Sequence, residues 1–259
     1  MKVAFWNAIS STDSVTNYVA AIGMHLVTEC HSNVVLSGNY ISNRMLQDCF
    51  SRRMLEDGIA HTPYCYLYGS SEYRDALWRM KRNRQGNILE MPINRMKIIY
   101  PPDETAKSMF YYKIRQRDFY LLDMAKCNVA ESKNVLDEAE LVVVFLSQDK
   151  TEIQNFFERF SSLIPKALFI FVNNQRDKKE SFRILKEDYG VNSNKIGHIP
   201  DNRNFYMACE EGNMSRFFAD SIYRTDEKQD GNFTNSIKKL AKKIYGQGVC
   251  LWAKKEKDE

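Results

Sequence analysis

Short apolar runs alternate with helical patterns along most of this chain. Five runs are almost continuously apolar, with few polar residues between, and they cover residues 2–6, 33–38, 118–124, 140–147 and 166–173. Continuous apolar character is typical of strands that are covered on both faces, as in a parallel sheet. Two further candidates cover residues 95–100 and 195–200. The pattern therefore predicts a mostly parallel sheet of about seven strands.

Apolar residues recur at helical spacing between these runs and predict four helices. They are Val15, Val19, Ile22 and Leu26; Ile153, Phe156, Phe157, Phe160 and Ile164; Phe182, Leu185 and Tyr189; and Ile237, Leu240, Ala241 and Ile244. Asp149 and Glu152 are placed as a capping pair for the second helix. Alternating strands and helices predict right-handed crossovers, and hence a doubly wound α/β fold with helices on both faces of the sheet.

The domain organisation follows from where this rhythm is broken. Residues 39–94 carry polar and basic residues, and we expect two helices there on one flank of the sheet. No repeat or low-complexity linker divides the sequence, so residues 1–245 are predicted to form one domain. Gly246 and Gly248 are expected to end the last helix. Residues 246–259 then form a short basic tail.

Composition limits the class of protein. A chain of 259 residues with 44% hydrophobic residues is not disordered throughout. Its six cysteines include no CxxC pair, which favours reduced thiols over a zinc site. The histidines lack metal-ligand spacing and are expected on the surface or in loops; they are His25, His31, His61 and His198. Neither a secretory leader nor a run of about eighteen apolar residues is present, so the expected location is cytoplasmic.

Three stretches carry a resemblance to a known family. Residues 118–149 contain a strand that reaches Asp123, then a loop, a helix and another strand; residues 166–173 end in Asn173; and residues 195–213 contain Pro200. Their order resembles the ParA/MinD family of deviant Walker ATPases, which has a P-loop NTPase fold. The resemblance places Asp123 at the Walker B aspartate and Asn173 at the asparagine that contacts adenine. Among family members, the chain most resembles the bacterial CpaE/TadZ-like proteins, which localise pilus or secretion machinery.

The phosphate loop of that family, K-G-G-x-G-K-T-T, falls on residues 9–16. All three glycines and both lysines are replaced, Ser14 stands at the second lysine, and only Thr16 keeps its residue type. Such a loop surrounds phosphates through backbone conformations that favour glycine, and Asp13 brings negative charge to the same place. These residues instead predict a helix N-terminus capped by Ser, Thr and Asp side chains.

The remaining motifs leave a small set of candidate site residues. The resemblance implies nucleotide-binding roles for Ser14, Thr16, Asp123, Asn173 and Pro200, and makes Asp123 the candidate Mg²⁺ ligand. The alternatives are that Asp123 caps the loop after its strand and that Asn173 belongs to a turn. No catalytic residue is assigned. We expect no cofactor, with weak binding of ATP and Mg²⁺ as the alternative.

These observations predict a degenerate, non-hydrolysing ParA/MinD-like protein, a pseudo-ATPase that acts as a localisation or assembly factor. The alternatives are an active ATPase with an atypical Walker A loop and a partition-type DNA-binding protein. The latter would use the basic residues of 79–84 and the tail. The expected partners are proteins, with a homodimer as one form.

Charge is concentrated at the end of the chain. The net charge is +4, and residues 238–259 hold seven lysines and three acidic residues. Because the remainder is about neutral, nucleic acid is not an expected partner. Val249, Leu251 and Trp252 lie between lysines, so one expectation is a peripheral contact with the inner face of the membrane. The other is that the last helix packs against the sheet.

Overall fold

The computed structural model describes residues 1–7, 15–38, 40–50, 64–66, 96–99, 118–125, 129–172, 178–223 and 228–258. The strands in this part of the chain are β1 (Lys2–Asn7), β2 (Val34–Gly38), β3 (Tyr64–Tyr66), β4 (Met96–Ile99), β5 (Phe119–Asp123), β6 (Leu141–Leu146), β7 (Ala167–Val172) and β8 (Ile196–Ile199). The α-helices are α1 (Val15–Thr28), α2 (Tyr40–Phe50), α3 (Val129–Glu138), α4 (Lys150–Phe160), α5 (Lys178–Glu187), α6 (Arg203–Glu210), α7 (Met214–Tyr223) and α8 (Lys228–Asp258).

The described strands form one sheet in the order β3-β4-β2-β5-β1-β6-β7-β8. Every pairing is parallel except that between β3 and β4. β5, β1, β6 and β7 are adjacent parallel strands at the centre of the sheet. The doubly wound, mostly parallel fold is confirmed, with β3 as an antiparallel edge strand that the sequence did not predict. The strands β2 and β5 lie on one side of β1, and β6, β7 and β8 follow in order on the other side. Parallel α/β folds form a crevice where the order of the strands changes side in this way.

Two hydrophobic layers hold the helices onto the sheet. Successive strand residues point to opposite faces, so Val3 and Phe5 of β1 lie in one layer while Ala4 and Trp6 lie in the other. The first layer contains buried residues of α1, α6, α7 and α8. The second contains those of α3, α4 and α5. This two-sided burial explains why the strands are continuously apolar.

The predicted start of α4 is correct, although the capping pair is only half formed. The carboxylate of Asp149 accepts hydrogen bonds from the backbone N–H groups of Thr151 and Glu152, at 2.7 and 3.2 Å. The carboxylate of Glu152 is hydrogen-bonded to the hydroxyl of Ser147. Asp149 therefore caps the helix, and Glu152 holds the turn before it.

The last helix differs from its prediction. α8 continues through Gly246 and Gly248 to Asp258, so the expectation that these glycines end it is wrong. Gly248 faces the buried ring of Phe119, and a Cβ atom at Gly248 would lie 2.8 Å from Phe119 Cζ. Trp252, one turn further on, packs edge-to-face on Phe119 with ring centroids 5.2 Å apart. Residues 246–258 therefore extend the packed helix.

Ion pairs tie α8 to the rest of the fold at two points. Lys238 Nζ lies 2.7 Å from a carboxylate oxygen of Glu29, at the end of α1. Lys255 Nζ lies 2.7 Å from Glu140 Oε1, and Glu140 Oε2 accepts a hydrogen bond from the backbone N–H of Lys2 at 2.7 Å. Within the described residues, no helix has the length and apolar character needed to cross a membrane.

His25 is buried, contrary to the expectation that the histidines lie on the surface or in loops. Its ring lies edge-to-face against Phe218, with centroids 4.7 Å apart, and its Nδ1 is 3.7 Å from Glu29. Burial lowers the pKa of His25, although Glu29 opposes the shift. Contacts with His25 and Lys238 lower the pKa of Glu29 to about 2. The charged groups facing His25 are thus Glu29 on its own side and Lys238 and Lys242 of α8.

This burial predicts an acid-sensitive fold. A lowered folded pKa for His25 means that the unfolded chain binds the extra proton more readily below pH 6.5. Above pH 6.5 His25 is neutral in both the folded and the unfolded chain, and its contribution to stability is complete. Below pH 6.5 the free energy of unfolding falls by up to about 1.4 kcal/mol per pH unit. Glu29 adds its own loss only below pH 4.5. Urea unfolding between pH 7.5 and 5 should show this slope.

A substitution separates His25 from the other titrating groups. His25→Gln cannot gain a proton, so its stability should change less between the two pH values than that of the unsubstituted protein. His31→Asn, at an exposed position, is the control and should keep the original slope. Equal slopes for His25→Gln and the unsubstituted protein would contradict the prediction.

Candidate functional site

The candidate site lies at the carboxyl edge of the sheet, where β5 ends between β1 and β2. Asp123, the last residue of β5, is fully buried. Its register partners are Phe5 of β1 and Gly38 of β2. Ligands of open α/β sheets bind outside this edge because loops and helix N-termini converge there.

Thr16 and Asp123 are brought into direct contact. The hydroxyl of Thr16, in the first turn of α1, donates a hydrogen bond to Asp123 Oδ2 at 2.5 Å, and Thr16 is also fully buried. Asp123 Oδ1 accepts a hydrogen bond from the backbone N–H of Ala125 at 3.0 Å. Each carboxylate oxygen thus accepts a hydrogen bond from the protein. Asp123 joins α1 to β5 and holds the turn that follows the strand.

The end of β2 explains a glycine that sequence reasoning did not assign to the site. A Cβ atom at Gly38 would lie 2.6 Å from Ser42 Cβ and 3.2 Å from the carbonyl oxygen of Asp123. Only glycine permits this approach without a shift of α2 or β5. Ser42, in the first turn of α2, is fully buried. A glycine at a strand end just before a helix was the signal available in the sequence.

Pro200, the remaining candidate within the described residues, lies away from this pair. Pro200 follows β8, which is separated from β5 in the sheet by β1, β6 and β7. Asn202, two residues later, caps α6 by accepting from the N–H of Phe205 at 2.9 Å. Its amide also donates to Asp230 of α8 at 2.7 Å. Asn202 therefore ties the β8–α6 loop to the last helix.

Several predicted positions lie outside the described residues. They are Ser14 and Asp13 of the loop before α1, Asn173 after β7, and the basic residues of 79–84. In the part of the chain that is described, no group of three or more His, Cys, Asp and Glu side chains is placed to hold a metal ion. A threonine hydroxyl and a Walker B aspartate are the groups that hold Mg²⁺ in P-loop NTPases, and Thr16 and Asp123 have that chemistry.

The phosphate-binding part of such a site does not fit this chain. In a P-loop a lysine precedes the hydroxyl residue that holds Mg²⁺. The residue before Thr16 is Val15, which is fully buried in the core. Whether Ser14 or Val15 occupies the lysine position, the positive charge that would neutralise the phosphates is absent from it.

Comparison with known proteins gives a likeness of structure only. No family model and no curated protein sequence matches the chain. The structure of pNOB8 ParA matches with a TM-score of 0.57 and 13% identity, over 100% of this chain and 99% of that one. pNOB8 ParA bound to nonspecific DNA matches with a TM-score of 0.54 and 12% identity, over 95% and 98%.

A structure from the MinD branch gives the same result. A chain of the MinC:MinD cell division protein complex of Aquifex aeolicus matches with a TM-score of 0.51 and 12% identity, over 95% of each chain. The matches span nearly the whole of each protein, and identity this low speaks for the fold alone. The chain therefore has the α/β fold of the ParA and MinD ATPases.

Proposed function

We propose that this chain is a degenerate ParA/MinD-like protein that does not hydrolyse ATP and acts through protein contacts. The observation that supports this most directly is the state of Asp123. Its carboxylate accepts hydrogen bonds from the hydroxyl of Thr16 and the N–H of Ala125. A buried carboxylate satisfied in this way stabilises the fold without a cation.

The lack of positive charge in the loop before α1 supports the loss of ATP hydrolysis. Phosphoryl transfer depends on positive groups that neutralise the phosphates and the developing charge. By sequence, the loop before α1 has no lysine and contains Asp13. Asp13 is the one charged residue in the sequence of that loop, residues 8–14, and its charge is negative.

The proposed role is that of a localisation or assembly factor, as in the pilus and secretion systems of the CpaE/TadZ-like proteins. Solved structures of this fold include a MinC:MinD complex, so the scaffold is suited to carrying a protein partner. We place this protein in the bacterial cytoplasm, bound to proteins of the machinery that it positions or to a second copy of itself.

A partition-type DNA-binding role is the second candidate. It is favoured by the match to pNOB8 ParA bound to nonspecific DNA and by the lysines of α8. Two of those lysines, Lys238 and Lys255, already pair with Glu29 and Glu140, which reduces the charge available to phosphates. Gel-shift binding of random duplex in about 0.15 M salt would favour this role over the first, because nonspecific binding weakens steeply with salt.

Peripheral membrane contact, if the protein makes it, rests on electrostatics. Leu251 and Trp252 pack against the core, so they are not available for insertion while α8 is folded. The exposed lysines supply attraction of about 1 kcal/mol each near an anionic surface. Co-sedimentation with anionic vesicles should therefore be lost as salt is raised.

Nucleotide binding tests the main proposal. We expect ATP with Mg²⁺ to bind with a dissociation constant weaker than about 1 mM, and no ATP hydrolysis above that of buffer. Isothermal calorimetry and phosphate release measure the two. The double variant Asp13→Gly/Ser14→Lys should not restore hydrolysis, because Ser10 and Ser11 still lack the backbone freedom of glycine. Micromolar binding, with hydrolysis abolished by Asp123→Asn, would sink the proposal.

A further inference from the structure

Lysines collect on one face of α8. In an α-helix each residue is turned by about 100° and raised by about 1.5 Å from the one before it. Five lysines then fall within about 60° of one line along the helix and span about 27 Å; they are Lys239, Lys242, Lys243, Lys254 and Lys257. Glu256, the one acidic residue of 239–257, falls about 100° from that line. We call this surface the lysine face.

The lysine face is open to solvent, and the fold does not neutralise it. Its lysines are exposed, apart from Lys243, which is half-buried. Lys242 Nζ lies 4.0 Å from Glu29, a carboxylate that Lys238 already contacts at 2.7 Å. Among the residues that the structure describes, the other four lysines of the face have no carboxylate within ion-pair distance. The positive charge of the face is therefore available to a partner.

The middle of the lysine face carries no long side chain. No lysine lies between Lys243 and Lys254, which are about 16 Å apart along the helix. The residues of the face in this interval are small and exposed: Gly246, Cys250 and Ala253. Two packed helices lie about 8–10 Å apart, and the side chains at the contact set the distance. A second helix can therefore lie close to the middle of this face, with lysines at each end.

We infer that the lysine face binds an amphipathic helix of a protein partner, whose acidic residues form two groups about four turns apart with small residues between them. The spacing follows from the two lysine groups, 239–243 and 254–257, whose centres are about 21 Å apart along α8. Charge complementarity of this kind selects a partner and fixes its register. The inference rests on the proposed function, because it gives the partner of a protein that acts through protein contacts.

The composition of the face favours a helix over a lipid surface or a nucleic acid. Helices that lie in a membrane interface insert large apolar side chains, whereas Leu251 and Trp252 pack against the core. A duplex presents closely and evenly spaced phosphates, and those opposite the uncharged middle of the face would gain no lysine. A helix with two acidic groups matches both the charged ends and the small residues between them.

Two designed peptides test the spacing directly. Both are blocked, fluorescein-labelled, alanine-rich helices of the same composition, with two groups of glutamates centred about fourteen residues apart in the first and about seven apart in the second. Fluorescence anisotropy with the full chain in about 0.15 M salt measures their binding. We expect the first peptide to bind about tenfold more tightly, because it alone meets both lysine groups at once.

This comparison uses the unsubstituted protein, so it does not depend on the folding of any variant. Equal binding of the two peptides would show that the face attracts negative charge without selecting its spacing, and would overturn the inference. Failure of both peptides to bind at about 100 μM would overturn it as well.

Matched variants assign the binding to the lysine face. Lys239→Glu and Lys257→Glu reverse one charge at each end and should each weaken binding of the first peptide about threefold to tenfold. Ala253→Phe places a ring in the middle of the face and should weaken binding at least as much. Lys186→Glu makes the same charge change at an exposed position of α5 and should have little effect. Unchanged binding in the first three variants would contradict the inference.

Random duplex and anionic vesicles are the competing ligands. If either binds more tightly than the first peptide in the same salt, and Lys239→Glu and Lys257→Glu abolish that binding, the face is a nucleic-acid or membrane surface and the inference fails. Such a failure leaves the proposed loss of ATP hydrolysis in place, because ATP binding and hydrolysis are measured separately. Hydrolysis of ATP by a protein that still selects the first peptide would overturn the proposed function alone.

Discussion

Deleting residues 246–259 should lower the free energy of unfolding by about 4 kcal/mol or more, a loss comparable to that from removing a large aromatic side chain and its neighbours from a core. The segment was expected from sequence to be a short basic tail beyond the last helix. In the structure it is the last part of α8, and it covers Phe119 with Gly248 and Trp252. Truncation would expose Phe119 and remove the ion pair between Lys255 and Glu140. Urea unfolding followed by circular dichroism measures the loss.

Single substitutions on α8 show which contact is responsible. Trp252→Ala removes the partly buried ring that packs on Phe119 and should cost about 2–4 kcal/mol, because the apolar contact between the two rings is lost. Val249→Ala is the control on the same helix: Val249 is 42% exposed, so its loss should stay within about 0.5 kcal/mol. Similar losses for the two variants, or a truncated protein as stable as the full chain, would contradict the packed-helix account.

The two glycines of α8 form a matched pair. Nothing lies within 4 Å of a Cβ atom at Gly246, so Gly246→Ala should stabilise the protein by about 0.5–1 kcal/mol through helix propensity. A Cβ atom at Gly248 would meet Phe119 at 2.8 Å and Trp252 at 3.3 Å. Gly248→Ala should therefore destabilise by about 1–3 kcal/mol through overpacking. Stabilisation by both substitutions would show that Phe119 gives way at little cost.

These glycines also show why the end of α8 was predicted wrongly from the sequence. A glycine is a frequent helix terminator, and for that reason the helix was expected to end at Gly246 and Gly248. The reason for glycine at position 248 is the ring of Phe119, more than a hundred residues earlier in the chain. Apolar spacing could have revealed it, since Gly248 and Trp252 continue the buried stripe of Ile237, Ala241 and Ile244.

The sheet was easier to predict than the helices because burial on both faces makes the sequence of a strand continuously apolar. Strands covered on both faces must be apolar at almost every position, and β1, β2, β5, β6 and β7 are buried along nearly their whole length. β3 has three residues and lies at an edge. A strand that short carries no periodic signal, and its antiparallel pairing with β4 depends on register rather than on composition.

The candidate site was found only in part. The order of motifs indicated Thr16 and Asp123, and the structure brings these two together across 107 residues. Sequence did not indicate Ala125, whose contact is a backbone N–H. It did not indicate Gly38 as a residue of the site either, because the need for glycine arises from Ser42 and Asp123 together. Contacts made by the backbone cannot be read from residue type, and a glycine at a strand end shows its role only when its neighbours in the fold are known.

The Thr16–Asp123 contact should prove to be structural, and its removal should destabilise the protein without any nucleotide present. Thr16→Val keeps the shape of the side chain but leaves a buried carboxylate oxygen without its hydroxyl donor, which should cost about 2–3 kcal/mol. Asp123→Ala removes the acceptor of both Thr16 and Ala125 and opens a cavity, with a comparable or larger loss of about 3–5 kcal/mol. Thr151→Val, at an exposed position, is the matched control and should change little.

Combining the two substitutions and adding Mg²⁺ separates a structural contact from a metal site. The double variant Thr16→Val/Asp123→Ala should be less destabilised than the sum of the single variants by about 1–3 kcal/mol, since the second change removes a group that has already lost its partner.

Millimolar Mg²⁺ with ATP should leave the melting temperature of the unsubstituted protein unchanged. A ligand that binds the folded state must raise that temperature. A rise that Asp123→Ala abolishes would show that Asp123 holds a metal ion, and the hydrogen bond from Thr16 would then be the resting state of a working site.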